Sequence, residues 1–237
     1  MKAIIMAAGK GTRMQAIHGD IPKGTIPIGE TSILRNMIGA IKANGINEII
    51  VVGGYKIDLL REHIGNEAKV IFNPLYEHGD DITSMWVSQK YMNEDFLYFH
   101  GDAVFSSDFI KNLVQDPRER VMLIEKKECD EEDSKVLINS TTNSVLKVSK
   151  KVPVSEAHGE FVGIAKFSGN AVKSFVNSMN HVVEKKGIQN YESEIIQNMI
   201  DNGEKVEFVS TEGTPWCEID FPKDLQYALE NKDKFGL

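Results

Sequence analysis

The sequence lacks the features of several protein classes. It has only two cysteines, Cys129 and Cys217, which lie far apart, so it has no disulfide framework and fits a reducing compartment. It has no apolar run long enough to cross a membrane and no basic-then-apolar signal at its start, so we expect a cytoplasmic protein without a membrane partner. Its net charge of −8 and its lack of a basic block argue against nucleic acid as a partner, and anionic substrates would have to be met by local cations and metal ions.

What the chain does have is a conspicuous first segment. Residues 3–6 are apolar and predict a buried strand, and the small residues Ala7-Ala8-Gly9-Lys10-Gly11 follow directly. Glycine reaches backbone angles that other residues avoid, and successive N–H groups in such a turn can face a row of phosphates. Arg13 and Lys23 add two cations, so the segment predicts a binding site for a nucleoside triphosphate. The alternative is a glycine turn with two solvated basic residues.

Two familiar phosphate loops do not fit this segment. The dinucleotide fingerprint G-x-G-x-x-G would begin at Gly9 and Gly11, but its third glycine position is Met14. The P-loop pattern G-x-x-x-x-G-K-[S/T] is absent from this segment.

The periodicity of the sequence predicts an α/β protein. Apolar runs that predict strands alternate with amphipathic helices in the first half, which favours parallel strands at residues 3–6, 49–52, 69–72 and 96–99. A helix is predicted from Thr31 or Ser32 to Gly45. Others are predicted over 58–64 and 106–114, and a polar loop at 73–86 is expected to enter a helix that continues through residue 91. In the second half, short β-branched runs predict added antiparallel strands at 121–124, 136–138, 145–148 and 160–167. A further strand is predicted at 206–210, and helices at 171–184, 193–200 and 222–231.

We expect residues 1–237 to form one domain, with a nucleotide-binding half at about 1–115 and an acceptor-binding half at about 116–237. Ligands of open parallel sheets lie beyond the carboxyl ends of the strands, where the glycine loop, Gly53-Gly54-Tyr55 and Gly101-Asp102 all fall. Much later in the sequence, Glu218-Ile219-Asp220 precedes a helix that begins with proline. A single aspartate at a strand end is more often a turn or cap residue.

The order of these elements is more informative than any one of them. A-A-G-x-G-T-R-M followed by P-K, then the central pair Gly101-Asp102 and a late E-I-D, resembles the nucleotidyltransferase superfamily with a GT-A-like fold. The resemblance implies a three-layer α/β/α architecture around a mostly parallel, mixed sheet. It also implies that Arg13 and Lys23 are catalytic and that Mg²⁺ is bound by Asp102, Asp220 and Glu218.

Further segments look like a narrower group, the cytidylyltransferases that activate small phosphorylated or phosphonylated molecules such as phosphocholine and 2-aminoethylphosphonate. These segments are N-P with D-D-I-T-S-M-W, G-E-F-V-G-I-A-K-F-S, and W-C-E-I-D. The reaction so implied joins CMP from CTP to a phosphate or phosphonate monoester and releases pyrophosphate, in a monomer or homodimer. The resemblance implies that CTP is bound by Ala7, Ala8, Gly9, Gly11, Thr12, Gly53, Tyr55, Ser84 and Gly101.

The acceptor would be bound by Asp81, Trp86, Lys151, Glu160 and Trp216. A cationic amine would meet the carboxylates and the aromatic faces, and Lys151 would meet the phosphate. Each assignment has an alternative: Lys151 as a solvated lysine, either tryptophan as core packing, and Glu160 as a ligand of metal or ribose. The scattered histidines, interpreted as loop residues, are His18, His78, His100 and His158.

Two other functions compete with this interpretation. A sugar-1-phosphate nucleotidyltransferase using UTP, dTTP or GTP would have much the same loop. A non-catalytic regulatory domain descended from the same fold would have damaged metal ligands, whereas Arg13, Lys23, Asp102 and Asp220 are all present here.

Overall fold

The described residues are organised around a mixed sheet. The computed structural model describes residues 1–237 except Ala16 and His18, so the expectation for His18 lies outside the described residues. The strands are β1 (Lys2–Ala7), β2 (Pro27–Ile28), β3 (Thr31–Ser32), β4 (Glu48–Gly53), β5 (Lys69–Phe72), β6 (Phe96–His100), β7 (Ala103–Phe105), β8 (Arg120–Glu125), β9 (Lys135–Asn139), β10 (Ser144–Val148), β11 (Gly159–Phe167), β12 (Val206–Ser210) and β13 (Trp216–Glu218). The helices are α1 (Gln15–His18), α2 (Ile33–Ala43), α3 (Ile57–Ile64), α4 (Ile82–Val87), α5 (Asp108–Gln115), α6 (Asn170–Lys186), α7 (Ser193–Asp201), α8 (Pro222–Glu230) and α9 (Lys232–Phe235).

The parallel half of the sheet is as predicted. The strand order is β5-β4-β1-β6-β11-β8-β12-β10-β9 over the residues described, and β5, β4, β1 and β6 run parallel. Ala7 pairs with Gly53 and Met6 pairs with His100, so these strands end at one edge of the sheet. The register therefore brings the glycine loop beside the residues that follow β4 and β6.

The second half of the sequence adds both antiparallel and parallel pairs to the sheet. β11 runs antiparallel to β6 and β8, and β10 runs antiparallel to β9 and β12, as expected. β12, for which no direction was predicted, is parallel to β8, because α6 and α7 lead the chain away from the sheet and back to the end where β8 begins.

The pairing of β7 with β13 was not predicted. These three-residue strands are antiparallel, with Glu218 opposite Ala103, and the Ile219 N–H donates to the Asp102 carbonyl at 3.0 Å. Strands this short carry no readable period. Their pairing nevertheless brings the late carboxylates of the sequence to the end of β6.

Alternate residues of the strands enter two cores, which makes three layers. On β1, Ile4 and Met6 pack with α4, α6 and α7, whereas Ala3 and Ile5 pack with α2, α3 and α5. The predicted single helix up to residue 91 is wrong, because α4 ends at Val87 and a short 3₁₀ turn follows. The Ser88 hydroxyl donates to the carbonyls of Ser84 and Met85 at this point.

Candidate active site

The glycine loop after β1 is closely surrounded by backbone. Gly11 has φ +60°, a conformation that glycine adopts without strain. A Cβ at Gly101 would lie 2.6 Å from the Met6 carbonyl oxygen, and one at Gly54 would lie 2.7 Å from the Ala8 oxygen. The glycines therefore allow three backbone segments to meet where the loop begins.

A cavity of 110 Å³ opens beside this loop, and we name it the loop cavity. Six residues predicted to bind CTP line it, whereas Thr12, Gly53 and Tyr55 do not. Gly53 instead packs against α3, where a Cβ would meet the ends of the Leu60 and Ile57 side chains. The residues lining the loop cavity are Met6, Ala7, Ala8, Gly9, Gly11, Lys23, Gly24, Asp81, Ser84, Gly101 and Asp102.

Asn73 organises the wall of the loop cavity, a role the sequence analysis missed. Its side chain is fully buried and donates to the hydroxyls of Thr83 at 2.9 Å and Ser84 at 3.2 Å. Its backbone N–H donates to the Gly53 carbonyl at 2.7 Å. The Asn-Pro pair was noted only as part of a family resemblance; as a local signal it marks a turn and gives no role for the side chain.

The two predicted cations and two predicted metal ligands meet at the edge of the sheet. Lys23 Nζ lies 2.5 Å from Asp102 Oδ2 and 2.7 Å from Asp220 Oδ1. Arg13 Nη1 lies 2.8 Å from Asp220 Oδ2, and Arg13 Nη2 lies 3.6 Å from Glu132 Oε2. Arg13 and Asp220, which are 207 positions apart in the sequence, therefore belong to one charge network.

The charges of this network support one another. Burial lowers the pKa of Lys23, but Asp102 and Asp220 outweigh it and hold that pKa above its ordinary value. Burial raises the pKa of Asp102, but the Lys23 and His100 cations outweigh it and hold the pKa below its usual range. Lys23 thus stays an ammonium and Asp102 stays a carboxylate at neutral pH.

Asp102 also has the donor atom that a metal ion would use. Its Oδ1 is buried and has no hydrogen-bond partner among the described residues. In the same part of the structure, ligand atoms of His100, Asp102 and Glu218 lie within 4.8 Å of one another. Mg²⁺ prefers carboxylate oxygens, so the carboxylates of this group fit that ion.

A second cavity, of 260 Å³, lies next to the first, and we name it the acidic cavity. Its lining is rich in carboxylate side chains, which face the cations Arg13 and Lys150 and the histidine His100. The lining residues are Met6, Arg13, Asp81, His100, Asp102, Glu132, Ser134, Lys150, Glu160, Phe161, Tyr191, Glu192, Glu218 and Asp220. This charge balance is suited to a metal ion or a cationic ligand group.

Comparison with known proteins identifies the family to which this chain belongs. The family model described as nucleotidyl transferase matches residues 2–233. The chain belongs to the nucleotidyl transferase family. It is therefore an enzyme of the nucleotidyltransferase class, and the alternative of a non-catalytic domain is wrong.

Similar nucleotidyltransferases include both cytidylyl and uridylyl enzymes. The chain is 27% identical to the CTP:phosphoglutamine cytidylyltransferase of Campylobacter jejuni, over 97% of this chain and 100% of the relative. It is 25% identical to the choline-phosphate cytidylyltransferase of Streptococcus pneumoniae, over 84% and 95%. It is also 25% identical to a UTP–glucose-1-phosphate uridylyltransferase of Haloferax volcanii, over 96% and 95%.

A solved structure confirms the GT-A-like fold. The inositol-1-phosphate CTP transferase from T. maritima superposes with a TM-score of 0.81 at 23% identity, over 99% of this chain and 95% of that one. None of the described helices of this nucleotidyltransferase has the length and hydropathy to cross a membrane.

Three residues predicted to bind the acceptor lie outside the lining of both cavities. Lys151 is exposed, and its neighbour Lys150 lines the acidic cavity instead, with its Nζ 4.5 Å from the ring centre of Tyr191. Trp86 lies on α4 with 38% of its surface exposed. Trp216, the first residue of β13, packs against the core that α2, α3 and α5 share with the sheet. The aromatic rings of the acidic cavity are those of Phe161 and Tyr191.

Asp81 and Glu160 do line the acidic cavity, as the assignment to the acceptor requires. Glu160 is 8% exposed, and its Oε2 lies 2.7 Å from Lys127 Nζ. Burial raises the pKa of Glu160 to about 8, although the Lys127 ammonium opposes this shift. Asp81 lines both cavities and therefore lies at their boundary.

The interpretation of His100 as a loop residue is wrong. His100 is the last residue of β6, and its ring lies between Glu192 and Glu218. Burial lowers its pKa, but the two carboxylates outweigh this and hold the pKa well above its ordinary value. Glu192 was missed altogether, since nothing in its local sequence marks it.

Proposed function

We propose that this nucleotidyltransferase transfers CMP from CTP to a small phosphate or phosphonate monoester that carries a cationic amine, and that it releases pyrophosphate. The observation that carries the proposal is the meeting of Arg13, Lys23, Asp102 and Asp220 beside the glycine loop. Phosphoryl and nucleotidyl transfer needs positioning and charge neutralisation rather than a protein nucleophile. The names of the Campylobacter and Streptococcus relatives support CTP and a phosphorylated acceptor.

The glycine loop and two cations handle the triphosphate in this proposal. Backbone N–H groups of the loop face the phosphates. Arg13 holds oxygens of the leaving pyrophosphate, and Lys23 holds an α-phosphate oxygen and the incoming acceptor oxygen. In the structure these cations neutralise Asp102 and Asp220, so substrate binding exchanges one set of anions for another.

The reacting groups are aligned by these same residues. The acceptor is already anionic, so its oxygen attacks the α-phosphorus without a general base. The P–O bond to pyrophosphate breaks as the new P–O bond forms on the opposite side. Asp102, Asp220 and Glu218 would hold Mg²⁺, which neutralises phosphate charge when it is bound.

The acidic cavity supports a cationic acceptor. Asp81, Glu160 and Glu192 line it beside the ring of Tyr191. A quaternary or primary ammonium bound there would meet the ring face, and its charge would lower the pKa of Glu160 and favour the carboxylate. Lys150 lies in the same cavity and would contact the acceptor phosphate in place of Lys151.

The pairing of β6 with β11 joins the two halves of the sequence in one sheet. This supports a single nucleotidyltransferase domain over residues 1–237.

The second candidate is a sugar-1-phosphate uridylyltransferase. The 25% identity to the Haloferax enzyme, over nearly the full length of both proteins, favours it. The hydroxyls of a neutral sugar can donate hydrogen bonds to the carboxylates of the acidic cavity, but a sugar, unlike an amine, gains no charge attraction from them.

A substrate grid separates the two candidates. Pyrophosphate release is followed with CTP, UTP, dTTP and GTP against phosphocholine, 2-aminoethylphosphonate, phosphoglutamine and glucose 1-phosphate, with and without Mg²⁺. We also include 3,3-dimethylbutyl phosphate, the uncharged isostere of phosphocholine. The proposal expects CTP with an amine-bearing acceptor, at least about tenfold above its neutral isostere. Turnover with UTP and glucose 1-phosphate alone would establish the second candidate, and turnover without a divalent ion would refute the metal role.

A further inference from the structure

One histidine side chain contacts carboxylates from two distant parts of the sequence. His100 Nδ1 lies 3.0 Å from Glu218 Oε1, and His100 Nε2 lies 3.1 Å from Glu192 Oε1. Glu192 is only 1% exposed, so its carboxylate is held inside the protein by this contact. A carboxylate buried to this degree needs a partner, and here the partner is the ring.

The fold leaves room for this ring on the neighbouring strand. Phe99 pairs with Ile164, which brings Gly163 of β11 beside His100. The register of β11 with β8 shifts between Phe161 and Ala165, and Gly163 has φ +72°. A Cβ at Gly163 would overlap the imidazole ring. The irregularity in β11 and the missing Cβ together accommodate His100.

The two carboxylates belong to different functional regions. Glu218, on β13, has an oxygen within 4.8 Å of an oxygen of Asp102, in the group that fits a metal ion. Glu192 immediately precedes α7 and lines the acidic cavity. Only the ring of His100 contacts both of these carboxylates in the described hydrogen bonds.

We propose that His100 is a positioning residue that holds Glu218 at the metal group with one ring nitrogen and Glu192 in the acceptor cavity with the other. This inference rests on the proposed function and adds to it a residue that links the two sites. Residues that orient metal ligands are commonly worth about 10- to 100-fold in metal affinity.

Two conservative substitutions separate the two contacts. The amide nitrogen of asparagine lies as many bonds from Cα as Nδ1 of histidine, so His100→Asn can still donate to Glu218 but not to Glu192. The amide nitrogen of glutamine corresponds in the same way to Nε2, so His100→Gln can still donate to Glu192. His100→Ala removes both contacts.

Two measurements test separately the contact of His100 with Glu218 and its contact with Glu192. Binding of Mn²⁺ with CTP, and no acceptor present, is followed by water-proton relaxation and does not depend on turnover. The KM for the best acceptor of the substrate grid is measured by pyrophosphate release. His100→Gln is expected to weaken Mn²⁺–CTP binding about 10- to 100-fold with a nearly unchanged acceptor KM. His100→Asn is expected to raise the acceptor KM by about tenfold or more with nearly unchanged Mn²⁺–CTP binding. His100→Ala should show both losses.

Other outcomes overturn the inference. Equal losses in both measurements for His100→Asn and His100→Gln would indicate a merely structural residue, and unchanged values in both would show that the contacts do not matter. A loss of Mn²⁺ binding with retained Mg²⁺ activity would make His100 a direct metal ligand instead. Thermal unfolding of each variant identifies misfolding, in which case Glu192→Gln, expected to raise the acceptor KM alone, is the deciding variant. If the wild-type protein itself neither binds Mn²⁺–CTP nor releases pyrophosphate, the proposed function fails, and not the role of His100.

Discussion

The loop cavity and the acidic cavity lie side by side but are built in different ways. The loop cavity is lined largely by small residues, many of them from the glycine loop and the end of β1. The acidic cavity is lined by long side chains from many separate elements. A general feature of the substrate, a triphosphate, can be bound by backbone, whereas selection of an acceptor requires side chains.

Three residues form the boundary between the two cavities. Met6, Asp81 and Asp102 line both, so the position where a nucleotide would meet its acceptor is fixed by the ends of β1 and β6 and the start of α4. Lys23 lies against Asp102 at this boundary. Substitutions here should affect the chemical step, while substitutions further into either cavity should affect one substrate.

The largest effect is expected at this boundary. Lys23→Ala and Asp102→Ala should each lower kcat by at least about 10²- to 10³-fold, because each removes a charge aimed at the reacting phosphates. Pyrophosphate release measures the effect, and circular dichroism checks the fold. Lys147→Ala, at an exposed position of β10, is the matched control and should leave kcat unchanged. Full activity in either boundary variant would contradict the assigned roles.

Substitution of two adjacent lysines tests which of them belongs to the acidic cavity. Lys150→Ala should raise the acceptor KM about tenfold, because Lys150 lines the cavity, and leave the KM for CTP nearly unchanged. Lys151→Ala should change neither, since Lys151 is exposed. Steady-state kinetics of both variants with one acceptor decides. The reverse result would restore Lys151 as the phosphate contact.

Glu160 should make the stability of the protein depend on pH. Its pKa is about 8 in the folded protein and 4.5 ordinarily, so between these values the folded protein holds a proton that the unfolded protein has released. The free energy of unfolding should therefore fall as the pH rises through this window, by on the order of 5 kcal/mol. Glu160→Gln should remove this part of the dependence in urea titrations at several pH values. Parallel curves for the two proteins would show that Glu160 is already ionised in the folded state.

The last prediction concerns a residue that lines neither cavity and on which the substrates should have no effect. Burial raises the pKa of the Cys217 thiol to about 12, and Cys217 packs with a core cluster behind β13. At pH 8 its reaction with Ellman's reagent should be at least about 100-fold slower than in urea, because little thiolate is present. CTP and acceptor should not change that rate. Protection by either substrate would mean that this side of β13 takes part in binding.

The sequence predicted well whatever depends on neighbouring residues. The apolar runs and helical spacing indicated the parallel half of the sheet, and the small residues up to Gly11 indicated the loop. Predictions failed where long-range pairing decides. Lys150 and Lys151 are indistinguishable in sequence, and which of them reaches the cavity depends on the turn after β10.

By itself the sequence determined the α/β class, and it predicted the segment proposed to bind phosphate and the carboxylates that could bind a metal, because periodicity and short motifs are local properties. Only the tertiary structure decided how the acidic cavity is assembled, why Gly163 has no room for a Cβ and how His100 joins two glutamates. His100 and Glu218, for example, are 118 positions apart and meet through strand pairing. No local pattern encodes such a meeting, since the burial that stabilises it exists only in the folded protein.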